Sequence, residues 1–138
     1  MWLIVSAFVF IMLAPVAVAQ DVSGEWIGRY ICAQGVTGLR LTIDKPTSGS
    51  MTTATFKFGP VAENPQVPEG AYTMRGAYDP ISRRVRLNGE KWVDAPFGYI
   101  MVGLDGYLSV NGDRIAGRIP DAFPCTDFAV RRPAQLIG

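Results

Sequence analysis

The sequence contains no histidine. Imidazole is the side chain that most often moves protons near neutral pH, so Ser/His/Asp and Cys/His mechanisms are excluded at once. Zinc sites fall with them, because two cysteines without any histidine cannot supply the usual ligand set. No P-loop, no G-x-G-x-x-G opening a helix and no calcium-binding loop is spelled out, and Asn64, Asn88 and Asn111 lack a following glycosylation pattern. A carboxylate pair such as Glu90 and Asp94 could do acid/base work across a cleft, but any β domain offers such pairs. These absences point to a non-catalytic protein with no metal and no cofactor.

An excess of charge of one sign is also missing. Thirteen basic and twelve acidic residues are scattered after residue 19, for a net charge of +1, which gives no pull toward nucleic acid or anionic lipid. The local exceptions are Arg83, Arg84 and Arg86, and then Arg131 with Arg132. Each group is a candidate site for an acidic partner, weighed against the plainer account of a solvated strand face.

Long apolar runs are confined to the start. Met1 to Ala19 carries no charged side chain, is apolar from Trp2 to Leu13, and ends on Ala17-Val18-Ala19, the small-x-small pattern that precedes signal-peptide cleavage. Residues 1–19 therefore read as a secretion signal and 20–138 as one domain, exported to the periplasm or secreted. The rival is an uncleaved membrane anchor, against which stand Pro15 and a run short of the ~20 residues that span a bilayer. In the signal-peptide reading, the membrane is met only through this leader.

With two cysteines, Cys32 and Cys125, in an oxidising compartment, the simplest state is one disulfide. Two buried free thiols or an intermolecular bridge are the alternatives. A domain of this size is stable by only ~0.05–0.15 kcal/mol per residue, so a staple around so long a loop would matter.

What is present is alternation. Leu39, Leu41 and Ile43 alternate with Arg40, Thr42 and Asp44; Ala54, Phe56 and Phe58 alternate with Thr53, Thr55 and Lys57. Tyr72, Met74, Gly76 and Tyr78 share one face; Val85 with Leu87, Tyr99 to Leu104, Leu108 with Val110, Ile115 to Ile119, and Phe128 with Val130 follow. Period two over short runs is the strand signature, and no segment keeps a helical stripe for ten residues. Asp79-Pro80, Asn88-Gly89, Asp105-Gly106 and Asn111-Gly112-Asp113 read as tight turns. The expected fold is all-β: a small antiparallel meander barrel of about eight strands, calycin-like or lipocalin-like, closed by one disulfide at its seam or rim.

Two longer irregular stretches are expected, Gly59 to Gly70 and Glu90 to Gly98, and loops on a rigid β scaffold are where binding residues gather. Aromatic residues are numerous, and core packing accounts for most of them. Trp92 and Phe97 fall in the second expected loop, which makes them candidate partner-binding residues beside Arg83, Arg84 and Arg86.

The string Gly28-Arg29-Tyr30-Ile31-Cys32-Ala33-Gln34-Gly35-Val36-Thr37-Gly38-Leu39-Arg40-Leu41, with Gly70 to Gly76, Gly98 to Leu104 and Cys125-Thr126-Asp127-Phe128, resembles a small β module also found appended to bacterial caspase-like proteins. The resemblance spans most of residues 20–138 and carries no assigned site. Tyr30-Ile31-Cys32 is also similar to the Tyr-x-Cys of periplasmic lysozyme inhibitors, small secreted barrels, though their inhibitory loop has no clear counterpart here. The resulting expectation is an exported binding module of the bacterial envelope, recognising a protein or glycan through its loops. The alternatives are a carrier of small apolar ligands and a lysozyme-type inhibitor.

Overall fold

The computed structural model describes residues 3–13, 21–46 and 49–133. Eight strands follow in order: β1 (Gly24–Cys32), β2 (Gly35–Ile43), β3 (Met51–Gly59), β4 (Gly70–Asp79), β5 (Arg84–Asp94), β6 (Leu104–Leu108), β7 (Arg114–Arg118) and β8 (Asp127–Arg131). Each pairs antiparallel with its neighbour, and β8 returns to β1, so the sheet is a closed meander barrel. Closure leaves no free edge within the sheet.

The alternation sorts side chains as expected. Leu39, Leu41, Ile43, Ala54, Phe56 and Phe58 face inward and are buried, as are Val85, Leu87, Phe128 and Val130. The interior of an eight-stranded barrel is just wide enough for side chains to fill, and here Trp26, Tyr30, Phe56, Tyr72 and Phe128 fill it. Buried polar atoms are matched as well: among the described residues no buried side-chain nitrogen or oxygen lacks a hydrogen-bond partner.

Three expected features differ. Asn88-Gly89 and Asp105-Gly106 lie inside β5 and β6 and are not turns. Their glycines serve close approach: a Cβ at Gly89 would meet Met101 Cβ at 2.7 Å, and one at Gly106 would meet the Ala116 carbonyl oxygen at 2.6 Å and Phe128 Cζ at 2.8 Å. Tyr99 to Leu104 is not a strand, since only Leu104 enters β6. Val102 is instead bonded by the side chain of Tyr72, whose hydroxyl donates to its carbonyl and accepts from its N–H, both at 2.9 Å. Finally, β5 extends to Asp94, so Trp92 sits on a strand.

The two ends of the barrel differ. One carries the longer connections, 60–69, 95–103 and 119–126, and the Cys32–Cys125 disulfide, whose Cα atoms are 3.8 Å apart. The bond ties the end of β1 to the segment entering β8. At the other end Arg132 lies 4.2 Å over the Trp26 ring and donates to the carbonyls of Asp21, Ser23 and Gly112. In the N-terminal segment, residues 3–13 have no regular structure and their large apolar side chains are exposed. No helix among the described residues is long and apolar enough to cross a membrane, and the Ala17-Val18-Ala19 cleavage pattern lies outside the described residues.

Two stability outcomes follow. Replacing Cys32 and Cys125 by serine opens a loop spanning 93 residues, and denaturant unfolding should show a loss of up to about 4.5 kcal/mol against the oxidised parent. Gly106→Ala should cost about 1–3 kcal/mol by overpacking against backbone and the Phe128 ring.

Candidate functional site

An aromatic column runs from the barrel interior to the disulfide end. Tyr30 meets Phe56 edge-on at 5.1 Å, Phe56 stacks on Tyr72 at 4.6 Å, and Phe58 stacks on Tyr99 at 5.3 Å. Offset and edge-on contacts of this kind stabilise beyond area burial alone. Trp92 belongs to the column: it is half-buried, edge-on to Tyr72 at 5.2 Å and to Phe58 at 6.4 Å. Val102, held by Tyr72, is buried over the top of it and draws the 95–103 loop across the mouth.

Outside that lid lies a cleft of about 330 Å³. Its walls come from the end of β1 (Tyr30, Cys32), the β1–β2 turn (Gln34), the 95–103 loop (Tyr99, Ile100) and the 119–126 loop (Phe123, Cys125). The disulfide therefore forms part of the cleft and fixes one wall against the other. Polar groups are few. The Gln34 side-chain amide donates to the Tyr30 hydroxyl at 3.3 Å and to Thr37 Oγ1 at 3.0 Å, and Asn64 Nδ2 donates to the carbonyls of Gln34 and Val36, which braces the β1–β2 turn against the 60–69 loop.

Burial first, with Tyr99 nearby, pushes the Tyr30 phenol above its ordinary range, and burial does the same to Tyr72. Both hydroxyls stay neutral hydrogen-bonding groups at ordinary pH. The lining offers apolar contact and neutral hydrogen bonds, with no carboxylate, lysine or arginine on it. Among the described residues no group of three or more Cys, Asp or Glu is placed to hold a metal ion.

The candidate residues named from the sequence do not form one site. Phe97, fully exposed on the 95–103 loop, stands at the mouth, while Trp92 is packed below it. Arg83 occupies the β4–β5 turn at the opposite end, at φ 62°, and its carbonyl accepts from Leu108 N–H. Arg84 and Arg86 lie on the outer wall of β5. Arg84 holds Asp105 through two bonds of 3.0 and 2.8 Å, and Arg86 approaches the same carboxylate at 3.7 Å. The Arg84 hydrogen bond, above all, keeps the Asp105 carboxyl below its ordinary range. Glu90 is tied to Arg75 at 3.1 Å on the exposed face of β4 and β5.

Sequence reasoning missed Ile100 and Phe123, 67% and 100% exposed. No local pattern in the sequence set either residue apart: Ile100 lies in an apolar run that reads as a strand, and Phe123 among residues that could equally pack inward. No family model, no curated protein and no solved structure matches this chain.

Tyr72→Phe should leave the buried Val102 N–H and carbonyl without their partner and cost about 1–3 kcal/mol. Hydrogen exchange should then speed up at residues 99–103 more than in β1 or β2.

Proposed function

We propose that this chain is an exported, non-catalytic binding module that engages a partner of the bacterial envelope through the rim of the disulfide-closed mouth. The observation that carries the reading is the contrast between a filled interior and an apolar rim. Trp26, Tyr30, Phe56, Tyr72 and Phe128 occupy the space a carried ligand would need, which weighs against small-molecule carriage. Ile100 and Phe123 meanwhile line one cleft from two loops while remaining largely exposed, and Phe97 is fully exposed next to the cleft residue Gly98. Exposed large side chains around a pocket are what binding hot spots are made of. The apolar character of the cleft favours a protein over a glycan at this site. The disulfide suits an oxidising compartment, and the apolar leader supplies the route to it.

The test is capture from envelope extract by the oxidised domain beside a Phe97→Ser, Ile100→Ser, Phe123→Ser variant. A specific partner should be retained by the parent and lost by the variant, each anchor contributing up to about 2 kcal/mol, with an unchanged melting temperature since none of the three is buried. Equal capture by both, or none by either, overturns the rim reading.

A further inference from the structure

On the outer wall, Arg114 of β7 stands directly opposite Arg131 of β8. The Arg132 N–H to Asp113 carbonyl bond, 3.1 Å, passes just outside this pair, which makes it a non-hydrogen-bonded pair, the arrangement in which opposed side chains come closest. Like charges directly opposed on a sheet destabilise it. Both side chains are exposed, and among the described residues neither guanidinium has an ion-pair partner.

The acidic neighbours are engaged elsewhere or belong to other arginines. Asp113 accepts from Ser109 Oγ at 3.0 Å, Asp105 is held by Arg84, and Asp127 stands opposite Arg118. Arg132, next in sequence, is turned in over Trp26. Glu25, diagonal to Arg131 across β1, is paired with Arg40 at 2.9 Å, so Arg114 and Arg131 are two opposed positive charges with no ion-pair partner among the described residues.

Beside it the wall carries one exposed ring and two small residues. Tyr107 is 54% exposed and stands opposite Ala116, which in turn stands opposite Ala129. A shallow depression of about 290 Å³ borders the ring on the side away from Arg114, lined by Tyr107, Gly117 and Arg118 together with the Arg84–Asp105 ion pair, so its one carboxylate is already neutralised. Arg114 is the diagonal neighbour of Tyr107 across β6 and β7, within reach of a long side chain.

We propose that this wall binds an acidic glycan, with Arg114 and Arg131 holding one carboxylate between them and a sugar ring lying on Tyr107. Guanidinium groups match planar carboxylates in bidentate fashion, and the electron-rich face of a tyrosine ring attracts polarised C–H groups of a pyranose. A closed barrel offers no strand edge to which an extended acidic peptide could add, and the exposed Tyr107 ring, with Ala116 and Ala129 on one side and Arg84 opposite it on the other, offers an apolar face that favours the sugar. None of these residues lines the mouth, so the inference stands or falls apart from the rim reading.

Calorimetry with an oligogalacturonate at low and physiological salt tests it, with a neutral glucan oligomer and polyglutamate as comparison probes. The parent should bind the oligogalacturonate with an affinity that falls as salt rises, and should not bind the glucan. Arg114→Thr with Arg131→Thr should weaken binding at least about tenfold, the loss expected for charge-assisted hydrogen bonds, while the melting temperature holds or rises as the repulsion is relieved. Tyr107→Thr, which leaves the charge intact, should also weaken it. No binding by the parent, undiminished binding by both variants, or equal binding of polyglutamate overturns the proposal.

Discussion

The pairing of β1 with β8 is the contact on which the rest of this molecule depends. Seven of the eight ladders join strands adjacent in sequence, and any of them could form as a local hairpin; the eighth joins Ile27–Tyr30 to Phe128–Arg131 across almost the whole described domain. Only four residue pairs make that seam, and it is reinforced at both ends. Above it the Cys32–Cys125 bond joins the flanking segments covalently, and below it Arg132 binds carbonyls of the chain entering β1 while covering Trp26. A short ladder becomes a durable one because its two fraying ends are held by interactions of different kinds, one insensitive to salt and the other mixed cation–π and hydrogen-bonded.

Closure also decides where recognition can happen. A barrel of eight strands has little interior to spare, and this one fills it with six large aromatic rings and their aliphatic neighbours. Whatever the protein contacts must therefore be met on its rim or its wall. The rim is apolar and loop-built, braced by the Tyr72–Val102 bonds and by Asn64; the wall is strand-built, with the exposed Tyr107 ring between the Arg84–Asp105 ion pair and Ala116. The two surfaces differ in chemistry.

The faces of β2 and β3 were legible because strict alternation at 39–43 and 54–58 has one buried solution. The reading failed where a residue answers to a partner far away in sequence. Asn88-Gly89 and Asp105-Gly106 spell hairpin turns locally, yet their glycines are there because Met101 and Phe128 press against them from other elements. The apolar run 99–104 has strand composition, but Tyr72, thirty residues away, takes the hydrogen bonds a ladder would need. Trp92 and Phe97 looked equivalent for the same reason: composition does not say which aromatic finds Phe58 and which finds solvent. The pairing of Arg114 with Arg131 was likewise invisible before register was known.

The order of the strands also governs how the chain is exposed while it is being made. Emerging from its N-terminus, the meander can extend hairpin by hairpin, but β1 and the most recent strand both remain bare edges until β8 arrives. Through that interval the domain is a template for pairing with other chains. Cys125 lies just ahead of β8, so the thiol of Cys32 must wait nearly as long for its partner. The same seam that seals the finished barrel thus sets a window of vulnerability during synthesis, one that ends only when the last strand and the second cysteine enter together.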